Sequence, residues 1–296
     1  MVKTFKNKTG QELLLKSYDK LLTQWGVKLT EKNIDTRYGT THVILCGDPN
    51  NPPLALFHGV GDNSALMWIF NARELSKYFY LIAIDTIGGP TKSIPNSNYG
   101  KEFRQEIWID DVLDSLGLEK IFLAGVSNGA YLAQLYTAKR PGRVNGAVCM
   151  AGSVEVGGSG FAMIKKFKVF FPEALFPTEK NVVKLLTKIC GVNKDVFIKN
   201  NDLMEHWKYL LKYGVPMAMG FHKILPLSQP EIKILSDKAL FIVGDRDPIV
   251  SANSKEIFEA NGIRYIMLKG SGHGINHEFA DTVNKYIIEF LTGIMV

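Results

Sequence analysis

Residues 120–140 have the sequence KIFLAGVSNGAYLAQLYTAKR, which predicts a strand, a sharp turn and a helix in succession. An apolar run that predicts a strand is followed by GVSNG at 125–129 and then by apolar residues at helical spacing. The G-x-S-x-G pattern between a strand and a helix predicts a sharp turn that presents a serine, since side chains at the glycine positions would collide with the strand and the helix. We therefore expect Ser127 to be a nucleophile and the Asn128 N–H to be an oxyanion donor.

The sequence on both sides of this motif alternates in the same way. Short runs of β-branched and apolar residues predict strands, and amphipathic stretches between them predict helices. This alternation predicts an α/β fold with a mostly parallel sheet and helices on both faces. The predicted strands are 41–47, 52–59, 78–85, 120–127, 144–152, 238–245 and 264–270, and the predicted helices are 64–77, 101–116, 129–140, 251–261 and 276–292.

One long segment, 153–237, interrupts the alternation. It contains no convincing strand, and prolines and glycines break its helical spacing. A segment of about 85 residues is too long for an unstructured loop in a compact domain. We expect a helical lid inserted into an α/β core formed by 1–152 and 238–296. The helical stretches of the insert are 162–171, 179–190 and 202–213.

A serine nucleophile needs a histidine base that is oriented by a carboxylate. His273 lies in GSGHG directly after the last predicted strand, where a loop can carry it over the edge of the sheet, so we expect His273 to be the base. His277 is expected in the last helix, outside the reaction path. The H-x-x-x-H spacing does not predict a metal site, because Gly274 stands where a zinc-protease helix has glutamate. The insert histidines, His206 and His222, are expected to be packing residues.

The segment VGDRDPIV at 243–250 closes the penultimate predicted strand and contains two candidate carboxylates. Asp247 lies farther beyond the strand end, and Pro248 fixes the turn after it. We therefore favour Asp247 as the partner of His273. The alternative for Asp245 is an aspartate that binds N–H groups of the loop.

The loop HGVG at 58–61 follows the second predicted strand and predicts a second oxyanion donor, the N–H of Val60. A rival interpretation is a dinucleotide loop, since GVGDNS resembles G-x-G-x-x-G and Asp85 ends the next strand where a ribose-binding acid would lie. Ser64 replaces the third glycine of that motif. This interpretation also leaves the serine, aspartate and histidine at the other strand ends unexplained.

Composition limits the class of protein. Of the 296 residues, 46% are hydrophobic and 22% are charged, which is typical of a globular protein. No apolar run approaches a membrane span, and the N-terminal residues lack the apolar stretch of a signal peptide. Cys46, Cys149 and Cys190 lie in apolar runs without the spacing of a zinc site or a disulfide framework. We expect a soluble, cytoplasmic protein with free buried thiols and no membrane partner.

The net charge of +6 raises the question of a nucleic-acid partner. Residues 153–238 contain thirteen lysines and no arginine, and these lysines are spaced among apolar residues. Because arginine is the commonest reader of bases, this pattern favours a solvated basic face over a nucleic-acid interface.

Five motifs in this order identify the sequence as resembling the α/β-hydrolase superfamily: HG at 58–59, D-x-x-G at 85–88, GVSNG at 125–129, GDRDP at 244–248 and GSGH at 270–273. RYGTTHVI, MWIFNARELSK, DTIGGPTKSIP and DSLGLEKIFLAGVSNG are similar to small bacterial carboxylesterases with a helical lid. The resemblance implies a triad of Ser127, Asp247 and His273, oxyanion donors from Val60 and Asn128, no cofactor and no metal. Where the family frequently has a second glycine after the nucleophile motif, this sequence has Ala130.

The expected function is a serine carboxylesterase for small to medium apolar esters. Thioester, lactone or carbon–carbon bond hydrolysis and perhydrolysis would use the same residues, and a non-catalytic ligand receptor could retain the pocket. The insert is rich in aromatic residues and methionine, and we expect part of them to line the acyl or alcohol pocket. Whether the chain acts alone or as a homodimer stays open.

Overall fold

The computed structural model describes residues 2–156, 169–171, 173–250 and 252–293. Their strands are β1 Leu29–Thr36, β2 Gly39–Cys46, β3 Pro53–Phe57, β4 Tyr80–Ile84, β5 Ile94–Pro95, β6 Ile121–Val126, β7 Val144–Met150, β8 Ala239–Gly244 and β9 Arg264–Leu268. They form one sheet with the order β1-β2-β4-β3-β6-β7-β8-β9, and β5 pairs with β2.

The sheet is mostly parallel. Strands β4, β3, β6, β7, β8 and β9 pair with one another in parallel, and antiparallel pairing is confined to the contacts of β2 with β1, β4 and β5. All of the parallel strands therefore end at one edge, where the loops after β3, β6, β8 and β9 meet. The predicted α/β fold is confirmed.

Helices cover both faces of this sheet. They are α1 Lys8–Leu22, α2 Ser64–Met67, α3 Ala72–Leu75, α4 Gln105–Ser115, α5 Asn128–Lys139, α6 Glu179–Ile189, α7 Asp195–Ile198, α8 Asn201–Tyr213, α9 Gln229–Lys238, α10 Ser254–Ala260, α11 Ile275–Glu278 and α12 Ala280–Leu291. Short 3-10 turns occur at Glu173–Leu175 and Pro216–Met219. None of the helices in the described ranges has the length and apolar composition needed to cross a membrane.

Two hydrophobic cores, one on each face, follow from the alternation of side chains along the strands. In β3, Leu54 and Leu56 join the core that contains α1, α2 and α12, whereas Ala55 and Phe57 join the core that contains α4, α5 and α9. All four side chains are fully buried. The central strands are thus apolar on both faces, which is why their sequences are continuous apolar runs.

Two N-terminal elements, α1 and β1, are not in the sequence prediction. Helix α1 begins after Asn7, whose side chain accepts a hydrogen bond from the Gly10 N–H at 2.7 Å, and it buries Leu14, Tyr18 and Leu21 on one side. Strand β1 lies at the edge of the sheet and is largely exposed, so its sequence LTEKNIDT lacks a regular apolar pattern. The edge position, not the local sequence, identifies it as a strand.

Two stretches that the sequence predicts as continuous helices are interrupted. Residues 64–77 form α2 and α3, and residues 276–292 lie in α11 and α12. Asn71 lies between α2 and α3 and links this break to the one between α11 and α12. Its buried side-chain amide donates to the Asn276 carbonyl at 3.1 Å and to the Asn284 side chain at 2.8 Å. A contact between distant segments therefore stabilises both breaks.

The described part of the insert, which includes α6, α7, α8 and α9, packs against several elements outside it. Helix α1 packs along α8, and helix α9 packs on α5 and β7. The predicted helix at 162–171 falls almost entirely on residues outside the described ranges. The division into a core at 1–152 and 238–296 and a lid at 153–237 stays a prediction.

The three cysteines are free and buried, as the sequence predicts. Burial raises the pKa of the Cys46 thiol to about 12 and raises the pKa values of Cys149 and Cys190 further. Because the thiolate is the reactive form of cysteine, these thiols are inert at neutral pH.

The turn between β6 and α5 has no room for side chains at its two glycines. A Cβ on Gly125 would overlap the carbonyl of Gly129, and a Cβ on Gly129 would overlap the carbonyl of Phe57 in β3. Backbone therefore packs directly on backbone where these elements meet.

We expect Gly125→Ala to lower the free energy of unfolding by at least about 2 kcal/mol, because the backbone of the turn must move to admit the methyl group. Gly142→Ala is the matched control, since a Cβ at Gly142 meets nothing within 4 Å. Chemical denaturation of both variants measures the effect. Equal stability of the two variants would contradict this packing argument.

Candidate active site

Ser127 sits in the turn between β6 and α5 with a strained backbone. Its φ is 58° and its ψ is −116°, a combination that non-glycine residues rarely adopt. The Ser127 N–H donates to the Met150 carbonyl at 2.9 Å, which holds the turn against β7. Strain of this kind at a partly exposed serine is typical of a functional residue.

Asp247 and His273 form a hydrogen-bonded pair in the loops after β8 and β9. The distance from His273 Nδ1 to Asp247 Oδ2 is 2.7 Å, and the Asp247 side chain is fully buried. The other oxygen of Asp247 accepts from the N–H groups of Ile249 at 2.8 Å and Val250 at 3.1 Å. With Nδ1–H donating to the carboxylate, Nε2 of the neutral imidazole carries a lone pair that can accept a proton.

The second aspartate of the same segment has a different position. Asp245 Oδ1 accepts a hydrogen bond from the Gly270 N–H at 2.7 Å and so holds the turn after β9. This is the loop-binding alternative that the sequence left open for Asp245. Of the two carboxylates, the structure brings Asp247 to His273.

Ser127, Asp247 and His273 lie after β6, β8 and β9, at the edge where the parallel strands end. The structure brings the aspartate and the histidine into contact. The Ser127 hydroxyl makes no hydrogen bond with the described residues. Hydrogen bonds to a catalytic nucleophile are often long in the absence of substrate, so this geometry is compatible with a serine–histidine pair.

The loop that carries His273 is held by the insert. The His273 N–H donates to the Ile189 carbonyl at the end of α6, at 2.6 Å. The buried carboxylate of Glu278 accepts from the N–H groups of Gly272 at 3.0 Å and Gly191 at 2.6 Å. Burial raises the pKa of Glu278, and these N–H donors oppose that rise. Glu278 is not predicted from the sequence, because nothing in the linear order shows that residues 191 and 272 meet.

The HGVG loop approaches Ser127 from β3. A Cβ placed on Gly59 would lie 3.5 Å from the Cβ of Ser127. The buried His58 accepts from the Thr86 N–H at 2.8 Å and donates from Nδ1 to the Gly59 carbonyl at 2.8 Å. Burial lowers the pKa of His58, so the ring stays neutral while it fixes the start of the loop.

The two candidate oxyanion donors are the N–H groups of Val60 and Asn128. Asn128 is the first residue of α5, directly after Ser127, and Val60 follows Gly59 in the adjoining loop. Within the described part of the chain, neither N–H donates a hydrogen bond. Both therefore remain available to a substrate oxygen.

The rival dinucleotide interpretation does not fit the contacts of Asp85. This fully buried carboxylate accepts from the Ser64 and Lys92 N–H groups, each at 3.1 Å, and from the Tyr18 hydroxyl at 3.0 Å. Both oxygens are thus engaged in holding loops, and the carboxylate is fully buried, so it does not face a ribose hydroxyl. Helix α2, which follows the loop, has only four residues.

His277 lies apart from the candidate base. It is buried, its Nε2 donates to the Leu66 carbonyl at 2.9 Å, and burial lowers its pKa to about 4. His222 is also buried between the Gln105 side chain and the Ile87 carbonyl. His273 is bonded to a carboxylate in the loops after β8 and β9, whereas His42 is bonded to Glu31 within the β1–β2 strand pair.

The fold is that of the α/β-hydrolases, and a family model described as the alpha/beta hydrolase fold matches residues 52–174. The chain is 27% identical over 289 residues to an uncharacterized carboxylesterase of Bacillus subtilis, nap, covering 94% of this chain and 93% of that protein. It is also 27% identical over 298 residues to the Bacillus subtilis carboxylesterase YbfK, with the same coverage. The crystal structure of naproxen esterase from Bacillus subtilis superposes with a TM-score of 0.82 at 23% identity, over 96% of this chain and 99% of that chain.

We expect Asp247→Asn to slow the labelling of Ser127 by a fluorophosphonate about 10³- to 10⁴-fold, because the amide no longer stabilises the imidazolium or the correct tautomer. Asp245→Asn is the matched control. It keeps an oxygen that accepts from the Gly270 N–H, so its labelling rate should stay within about threefold of the native rate. The reverse ranking would show that Asp245 is the partner of the base.

Proposed function

We propose that the protein is a serine carboxylesterase that hydrolyses small to medium apolar esters through Ser127, His273 and Asp247. The proposal depends above all on the buried Asp247–His273 hydrogen bond at the sheet edge that also carries the strained Ser127. The two Bacillus relatives named as carboxylesterases support it. The reaction requires no cofactor, and we propose that it takes place in the cytoplasm.

In the proposed mechanism, Oγ of Ser127 attacks the ester carbonyl while Nε2 of His273 takes the hydroxyl proton. The N–H groups of Val60 and Asn128 stabilise the negative oxygen of the tetrahedral intermediate. His273 then gives its proton to the leaving alcohol as the acyl-enzyme forms. Water attacks the acyl-enzyme by the same proton transfers and releases the acid, and the buried carboxylate of Asp247 stabilises the imidazolium in both steps.

The insert has exposed apolar side chains, and we propose that part of them contacts an apolar substrate. Among its described aromatic residues and methionines, Met219 is buried and belongs to the packing of the protein, whereas Phe176 and Met217 are 68% and 84% exposed. Exposed apolar side chains of this size are available to contact a substrate. Phe161, Met163 and Phe167, which the sequence also suggests for this role, lie outside the described residues.

We expect Ser127→Ala to reduce ester hydrolysis about 10⁴-fold or more, because a triad acts as a unit and only binding and oxyanion effects remain without the nucleophile. Turnover of p-nitrophenyl butyrate measures the loss, and an unchanged unfolding midpoint shows that the fold is intact. More than a tenth of the native activity in this variant would exclude Ser127 as the nucleophile. Labelling of the native protein without turnover of any ester would favour the receptor alternative.

Along a series of p-nitrophenyl esters, we expect kcat/KM to rise from acetate to an optimum near butyrate to hexanoate and to fall for longer chains. Each added methylene that the pocket can bury contributes at most about 0.8 kcal/mol of binding free energy. Methylenes that extend beyond the pocket contribute none. Steady-state kinetics on the series measures this profile. Greatest activity on palmitate or emulsified triglyceride would point to a lipase instead.

A further inference from the structure

His206 in the insert helix α8 connects three elements of the structure. It is fully buried, and each of its ring nitrogens bonds to a different segment. Nδ1 lies 2.7 Å from the hydroxyl of Ser17 in α1, and Nε2 lies 2.9 Å from the side-chain amide of Asn63 in the loop after β3. Both ring nitrogens are therefore hydrogen-bonded, as buried polar groups normally are, and the partners link α8 to α1 and to the loop after β3.

The partners determine the protonation of the ring. The Ser17 hydroxyl donates to the Leu14 carbonyl at 2.8 Å, so its oxygen accepts from His206 Nδ1–H. His206 Nε2 then carries the lone pair that accepts from the Asn63 amide. Burial lowers the pKa of His206 to about 3, which keeps the ring in this neutral form at physiological pH.

Asn63 anchors the far end of the loop that carries Val60. Its side-chain oxygen accepts from the Leu66 N–H at 3.2 Å and caps α2, while its side-chain N–H donates to His206. Gly61 lies between Val60 and Asn63. Its φ is 71°, and no atom lies near the position that a Cβ would take. Val60 itself is exposed and is followed by this glycine, so the Val60 N–H keeps one position only if the buried ends of the loop are fixed.

The packing of α1 on α8 holds His206 in turn. Lys20 of α1 and Gln24, which lies just after α1, both bond to Asp202 of α8, at 2.6 and 2.7 Å. The Val215 N–H, just after α8, donates to the Thr4 carbonyl at 3.0 Å. Helix α8, which carries His206, is therefore held in place by hydrogen bonds to α1 and to the N-terminal residues.

We propose that His206 is a positioning residue that sets the Val60 N–H of the oxyanion site through its hydrogen bond to Asn63. This proposal rests on the proposed function. An oxyanion donor acts mainly in the transition state, so a misplaced Val60 N–H lowers kcat and leaves KM nearly unchanged. The predicted role of His206 as a packing residue is thereby extended to the chemistry of the site.

Two substitutions separate this role from packing. In His206→Gln the amide reaches the place of Nε2, and its oxygen can accept from Asn63. In His206→Asn the shorter amide reaches only the place of Nδ1 and keeps the bond to Ser17. We expect His206→Gln to retain kcat within about threefold and His206→Asn to lose about 10²-fold in kcat, with KM within about twofold in both.

The affinity of a trifluoromethyl ketone, whose adduct with Ser127 places an oxyanion in the same site, should fall with kcat in His206→Asn. His222→Gln and His222→Asn are matched controls, since His222 is also a buried insert histidine with both ring nitrogens bonded. We expect these controls to lower the unfolding temperature and to keep kcat. Asn63→Ser retains a side chain that can cap α2, but this side chain is too short to reach His206. We expect it to lower kcat as His206→Asn does. It tests the same hydrogen bond if His206→Asn fails to fold.

Equal losses of kcat in His206→Gln and His206→Asn would overturn the proposal, as would a rise in KM at constant kcat. Full activity of Asn63→Ser would also overturn it. If the native protein hydrolyses no ester, the proposed function fails by itself. The rate of fluorophosphonate labelling of Ser127 then decides the role of His206, because that reaction also needs the oxyanion donors and should slow about 10²-fold in His206→Asn.

Discussion

The site depends on the direct contact of three backbone segments at the glycines of the nucleophile turn. Because Gly125 and Gly129 have no side chains, the start of α5 lies against the ends of both β6 and β3. The end of β6 carries Ser127, the start of α5 carries the Asn128 N–H, and the end of β3 continues into the loop with Val60. One packing constraint therefore fixes the proposed nucleophile and the Asn128 N–H relative to the end of β3, where the loop with Val60 begins.

Carboxylates fix most of the remaining loops at this edge. Each accepts one or more backbone N–H groups of these loops, and hydrogen bonds to a charged acceptor are stronger than neutral ones. Four residues share this pattern: Asp85, Asp245, Asp247 and Glu278. Among them Asp247 also binds the side chain of His273. The carboxylate that fixes the loop after β8 therefore also polarises an imidazole.

The sequence predicts features that are local and fails for those that depend on contacts between distant segments. Strand ends, the turn at Ser127 and the loop at 270–273 follow from short runs of residues, and so does the confirmed fold class. The roles of Glu278 and His206 depend on contacts with residues 87 and 143 positions away, which no local pattern shows. Strand β1 is not predicted either, because it pairs at the edge of the sheet and is largely exposed. Such a strand needs little alternation of apolar residues in its sequence.

The same distant contacts constrain how a lid can work in this fold. The end of α6 bonds to the loop with His273, and α8 bonds through His206 to the loop with Val60. In the proposed mechanism, a lid that opened by lifting either helix would break these hydrogen bonds and release a loop that carries a proposed catalytic group. Substrate access that leaves α6 and α8 in place would keep both loops where the proposed mechanism needs them, so the proposal assigns these two helices to the support of the site.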